Sequence, residues 1–273
     1  MSDKTQKGGD RRVKENKKAR VRYYTHEKED FFGINAEHIR IDESYVYESR
    51  GFFRRIASFI AYRLIATPVA FLYTKLRFRE KFIGKKKLKE FKHCGFFIYS
   101  NHTQPIADAF SPNILTFPKK NSIIISKANL AMPVLGRALR SLGGIPLPDN
   151  LRAARNFSKA VESRIKRGEA VTVYPEAQVW EFFTGIRDFP DSVLDLPVRC
   201  SSPIFTATRT YHKGKLGVYC KIYIDGPFLP DREAPAKEER ERLKKILLQT
   251  MRERALNSDV DVIKYVKKDN AEG

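Results

Sequence analysis

Between residues 96 and 224 the chain alternates short apolar runs with stretches of helical periodicity, and that alternation limits the fold more than any other feature. Phe96-Phe97-Ile98-Tyr99, Ser122-Ile123-Ile124-Ile125-Ser126, Ala170-Val171-Thr172-Val173-Tyr174, Ile204-Phe205-Thr206-Ala207-Thr208 and Val218 to Ile224 are short and rich in β-branched and aromatic residues, so they read as strands. Gly143-Gly144-Ile145-Pro146-Leu147 reads as a tight turn into a further short strand. The segment 130–142 has Leu135, Ala138 and Leu142 on one side. The segment 150–167 sets Ala154, Phe157 and Val161 inward behind an Asp149 or Asn150 cap and stops at Gly168. A last helix, from Lys237 to about Leu256, turns Leu243, Ile246 and Leu247 inside. Together these predict an α/β fold with a central mixed sheet flanked by helices.

Before that domain the character differs. Residues 1–45 form a basic arm, largely disordered or irregular, and the first 22 are rich in Lys, Arg, Asp and Glu. Residues 46–82 form an amphipathic helical segment. Ile56, Phe59, Ile60 and Leu64 fall at helical spacing, as do Val69, Leu72 and Tyr73 beyond Pro68. Arg63 and Pro68 interrupt the apolar run, and Arg54, Arg55, Lys75 and Arg77 flank it. A spanning helix needs about 20 continuous apolar residues. Two short helices lying in a membrane interface fit better, with packing on the domain core as the alternative. Residues 83–273 complete the α/β domain.

The chain carries 52 Lys+Arg against 32 Asp+Glu, a net charge of +20. Such an excess points to an anionic partner, a nucleic acid or an acidic membrane face. No nucleic-acid motif appears and no aromatic ladder interleaves the basic runs, which disfavours nucleic acid. Cys94, Cys200 and Cys220 show no pair at metal-ligand spacing and suggest a reducing compartment. The polar, basic start offers no signal peptide, which argues against secretion.

In open α/β sheets the reactive loops lie beyond the carboxyl ends of strands. Two such loops stand out here: Asn101-His102 with Asp108, and Tyr174-Pro175-Glu176-Ala177. A carboxylate can hold an imidazole through one nitrogen and leave the other free to take a proton. Plainer roles are open for each: a locally bonded strand-end His, an Asp at a helix start, a Glu paired with a nearby Arg. Trp180, Phe182 and Phe183 suit core packing or an apolar groove.

Four blocks in order carry a resemblance: Asn101-His102 with Asp108, Gly143 to Leu147, Tyr174 to Ala177, and Ser202-Pro203-Ile204. Over roughly residues 50 to 230 the chain resembles the glycerolipid acyltransferases of the 1-acylglycerol-3-phosphate acyltransferase group. The resemblance implies transfer of a fatty acyl group from a thioester, acyl-CoA or acyl-carrier protein, to a lysophospholipid hydroxyl. No other cofactor and no metal are implied. It also implies an α/β catalytic domain behind a helical membrane-docking motif, working peripherally or monotopically on the anionic cytoplasmic face of the cell membrane. His102 would be the general base and Asp108 its orienting carboxylate. Backbone amides around Gly143 and Gly144, or after Glu176 at Ala177, would stabilise the oxyanion. The family pattern sets four residues between His and Asp; this chain has five. The family's phosphate-gripping arginines are absent beside Leu147 and after Ala177, where Arg187 and Lys127 are candidate substitutes or ordinary surface cations. A basic membrane- or nucleic-acid-binding protein without catalysis is the competing class. A hydrolase is disfavoured for want of a Gly-x-Ser-x-Gly elbow.

Overall fold

The computed structural model describes residues 19–33, 36–47, 67–132 and 143–268, with residues 60, 64, 136 and 139 besides. Its centre is a seven-stranded sheet in the order β2-β8-β7-β3-β6-β4-β5. These strands are β2 (Lys81–Ile83), β3 (Phe96–Ser100), β4 (Asn121–Ile125), β5 (Gly144–Pro146), β6 (Ala170–Val173), β7 (Ile204–Gly214) and β8 (Gly217–Phe228). Strands β5, β4, β6, β3 and β7 are parallel, whereas β8 runs against β7 and carries β2 parallel to itself, so the sheet is mixed as expected.

Both faces are covered, which explains strands apolar along their whole length. On one face Phe97, Tyr99, Val171 and Ile204 meet Phe157 and Val161 of α4 (Leu151–Lys166) and Leu243 and Leu247 of α6 (Ala236–Ala255). On the other, Phe96, Ile98, Phe205 and Ile222 meet Leu115 of α2 (Ala107–Thr116) and Leu88 of a 3-10 turn, Lys85–Phe91. Burying one such side chain stabilises the fold by about 1.5–3 kcal/mol. Asn150 caps α4, its Oδ1 accepting from Ala153 N at 2.8 Å. Short helices α3 (Lys127–Ala131) and α5 (Asp195–Cys200) complete the layers. Of the predicted helix at 130–142, residues 133–135, 137, 138 and 140–142 lie outside the described residues.

The second of the two expected short helices is α1 (Thr67–Arg77), which carries Pro68 in its first turn. The helix buries Ala70 and Thr74 instead of its larger apolar residues. Val69, Phe71, Leu72 and Leu76 are half or more exposed. Of the helix expected before it, Ile56 and Phe59 fall outside the described residues, whereas Ile60 and Leu64 are described and exposed. Among the described residues, no helix is long and apolar enough to cross a membrane.

The arm expected over 1–45 is in part a structured strap. Arg20–Tyr24 forms β1, which pairs in parallel with β9 (Ile263–Lys267) as a separate two-stranded sheet. Trp180 lies flat on Tyr265 at 4.8 Å and edge-on to Tyr24 and Phe31. That aromatic cluster supplies the apolar contact that a charged arm lacks. Further on, Ile41 exchanges hydrogen bonds with Asp149, and the Tyr47 hydroxyl donates to Pro146 O at 3.1 Å, covering the β5 edge. Residues 1–18 lie outside the described residues.

Candidate active site

His102 follows the end of β3, the central parallel strand. Behind it, Asn101 is clamped to β7: its Oδ1 accepts from Arg209 N at 2.8 Å and its Nδ2 donates to Arg209 O at 3.0 Å. The chain turns at Pro105-Ile106 and enters α2, whose first turn carries Asp108. The one-residue-longer spacing is absorbed in that turn, closed by Asp108 N donating to Gln104 O. Asp108 Oδ2 accepts from Thr103 N at 2.9 Å, Gln104 N at 2.8 Å and His102 Nδ1 at 2.9 Å. A carboxylate acceptor requires the proton on Nδ1, so Nε2 presents its lone pair. Nε2 has no hydrogen-bond partner among the described residues, and the side chain is 17% exposed, against 2% for Asp108.

The imidazole stacks on Tyr174 at 4.4 Å between centroids. The Tyr174 hydroxyl donates to Asp108 O at 2.6 Å. Burial, and after it the Asp108 charge, push that hydroxyl well above its usual range, so it stays a proton donor.

The other carboxylate oxygen, Asp108 Oδ1, faces Arg209 at 3.2 Å. Arg209 also pairs with Glu80 and donates to Ser111 Oγ at 2.9 Å, while Ser111 donates to Glu80 Oε1 at 2.8 Å. Burial lowers the basicity of Arg209, but the carboxylates of Glu80 and Asp108 more than offset it and hold it well above its ordinary value. Neither Arg209 nor Glu80 was a candidate from the sequence. The alternation of Ile204 to Thr208 continues into Arg209-Thr210-Tyr211, which was the available signal for a longer strand and a buried arginine.

Glu176 is brought to His102, but to its backbone: Oε2 accepts from His102 N at 3.2 Å. Burial pushes the Glu176 carboxyl up, opposed by Arg187 and the amides of His102 and Arg187. Arg187 is not an open phosphate ligand. Its guanidinium is 3% exposed, bonds Glu176 at 3.1 Å, Gln178 O and Glu27 O, and lies over the Trp180 ring. Trp180 N donates to His102 O and Phe182 N to Thr103 O, so this loop binds the His102 loop through its backbone. Ala177, at φ 64°, takes a left-handed turn whose amide donates to Tyr174 O rather than outward.

Gly143 and Gly144 are not brought to His102. Gly144 pairs with Ile123, which is level with Thr172 and so with Ile98, four residues before His102. Three strand spacings of about 4.8 Å separate them laterally. Their bareness serves the sheet edge. A Cβ on Gly143 would lie 2.9 Å from Asn121 O, and one on Gly144 2.9 Å from Leu139 O. Lys127 stands beyond β4 on the same sheet end as His102, half-exposed and paired with Asp149 at 2.9 Å. Among the described residues no His, Cys, Asp and Glu cluster is placed to hold a metal ion.

Residues 79–210, which contain His102, Asp108, Glu176 and Arg209, match the family model described as Acyltransferase. The chain therefore carries an acyltransferase domain over that stretch. Its fold is similar to that of the 1-acyl-sn-glycerophosphate (LPA) acyltransferase PlsC from Thermotoga maritima. The TM-score is 0.51 and the identity 17%, over 76% of this chain and 89% of that one, so the likeness is one of fold. No curated protein matches the chain.

Proposed function

We propose that the protein transfers a fatty acyl group from an acyl thioester to the free hydroxyl of a lysophospholipid in phospholipid synthesis, with 1-acylglycerol-3-phosphate as acceptor and phosphatidate as product. The observation that carries this reading is the 2.9 Å hydrogen bond from His102 Nδ1 to Asp108, which leaves Nε2 free on a partly exposed ring. Nε2 removes the hydroxyl proton as the oxygen attacks the thioester carbonyl carbon. The tetrahedral intermediate collapses, the carbon–sulfur bond breaks, and the imidazolium returns its proton to the departing thiolate. No acyl-enzyme forms. The donor is acyl-CoA or acyl-carrier protein, and no further cofactor is needed.

The exposed apolar residues of α1, beside Lys75 and Arg77, support contact with an anionic lipid surface, as does the +20 charge. The enzyme then works as a peripheral protein on the cytoplasmic face of the membrane. With Arg187 enclosed, Lys127 is the candidate that keeps an exposed ammonium for the acceptor's phosphate.

The test is mass spectrometry of products from lysophosphatidate and acyl thioesters with the wild type and with His102→Ala. Loss of the base should lower the rate about 100-fold or more. Undiminished transfer by the variant removes His102 from the mechanism. No transfer by the wild type to any lysophospholipid leaves a basic binding protein.

A further inference from the structure

We propose that Arg209 and Glu80 are positioning residues of the reaction: with Asp108 they fix the orientation of the carboxylate that holds His102 and balance the charge beneath its ring. The inference rests on His102 being the base. Asp108 divides its oxygens. Oδ2 serves His102 and the amides of Thr103 and Gln104; Oδ1 serves Arg209 alone among the described side chains. Rotation of the carboxylate about its bond to Cβ would break contacts on both sides. Arg209 cannot drift, because Asn101, the residue before His102, holds its backbone N–H and C=O together. Ser111, one turn after Asp108 on α2, bridges Arg209 and Glu80.

The charges are matched to proton transfer. Two carboxylates and one guanidinium leave one negative charge facing a neutral imidazole, and the cluster becomes neutral when the ring takes a proton. With Asp108 and Arg209 alone, protonation would leave an uncompensated positive charge in a buried site. Glu80 supplies the balance. It is 1% exposed and sits just past α1, where its amide donates to Thr74 O at 3.4 Å and its carbonyl accepts from Lys75 Nζ at 3.2 Å. The helix with the exposed apolar face is therefore tied by three residues to the catalytic imidazole.

The titratable groups around this cluster are Tyr174 on the ring's face, Glu176 and Arg187 behind its backbone, and Tyr211 and Cys220 beside Arg209. Burial pushes the Cys220 thiol up to about 11 and the Tyr211 hydroxyl higher, so both stay neutral around pH 7 and add no charge beside Arg209.

The test is NMR titration of histidine ring carbons in the full chain, His102 being assigned among the 5 histidines by His102→Gln. Glu80→Gln keeps shape and hydrogen bonding but removes a negative charge. Its His102 midpoint should fall by about half a pH unit or more. Glu80→Gln with Arg209→Met removes one charge of each sign, the nearer being positive, and should bring the midpoint back to the wild-type value or above it. Ser111→Ala changes no charge and should leave the midpoint in place. A Glu80→Gln midpoint equal to the wild type's, or a double variant that moves the same way, overturns the proposal. If Glu80→Gln alone does not fold, the double variant decides: a midpoint below the wild type's overturns it. Because the readout needs no substrate, it fails separately from the acyl-transfer assay. Inactive wild type sinks the functional reading, whereas unshifted midpoints with an inactive His102→Ala sink only the role of Glu80 and Arg209.

Discussion

Arg209 and Arg187 are each 3% exposed and each faces a carboxylate close to His102, yet they hold different parts of it. Arg209 reaches the side chain, through Asp108 Oδ1, and belongs to a cluster with an excess negative charge. Arg187 reaches only the backbone: its partner Glu176 accepts from His102 N, and its face covers Trp180, whose amide bonds His102 O. One arginine governs where the imidazole points and what charge it can carry. The other governs where the loop sits. A buried arginine beside His102 is therefore no sign of a substrate ligand; its partners say what it holds.

Alanine at either position separates the two roles. Removing one partner of a buried ion pair costs about 3–5 kcal/mol, so both Arg209→Ala and Arg187→Ala should lower stability by that amount in urea unfolding. Acyl transfer, measured on the folded fraction at low temperature, should fall about 100-fold for Arg209→Ala and about tenfold for Arg187→Ala, a loss of loop placement alone. Equal losses would dissolve the distinction.

The Glu176 side of the site also stores backbone strain. Ala177 holds a left-handed conformation that costs about 1 kcal/mol for a residue with a Cβ. Ala177→Gly should raise stability by about that amount, read as a rise in the unfolding midpoint. A fall would mean that the methyl group packs favourably.

The smallest expected effect sharpens the contrast from outside the site. Asp225 pairs with Arg254 at 2.7 Å and Lys87 at 3.1 Å, both cations more than 40% exposed. The Arg254 hydrogen bonds, more than its charge, hold the Asp225 carboxyl below its usual value. A lowered carboxyl contributes stability that is full above the unfolded value of about 3.9 and is lost as pH falls through the folded one. Asp225→Asn should therefore cost under about 1 kcal/mol at pH 7 and nothing near pH 2, with the gap narrowing in salt. A loss as large as that of Arg209→Ala would show that burial is not what separates the two clusters.

Features set by neighbouring residues are legible in the sequence. Phe96 to Tyr99 is apolar because it is covered on both faces, and its end delivers His102 with Asp108 in the next helical turn. The extra residue in the spacing was no obstacle, since a turn at Pro105-Ile106 accommodates it. Other features depended on distant partners. Arg209-Thr210-Tyr211-His212 looks like the polar end of a strand, but its charges are satisfied by residues more than 40 positions away. Arg20 to Tyr24 looks like part of a basic arm until Ile263 to Lys267 pairs with it. Gly143 and Gly144 look like amides bared for an oxyanion, whereas they let β5 close against β4.

The sequence by itself determined the α/β class, the strand ends and the imidazole–carboxylate pair. Those follow from side-chain periodicity and from contacts within a few residues. Tertiary structure alone decided that Arg187 is enclosed, that Arg209 and Glu80 stand behind Asp108, and that α1 buries Ala70 and Thr74 while Val69 and Leu72 face outward. A charge or an apolar face acquires its role from what lies opposite it, and that partner is set by chain crossings that local spacing does not encode.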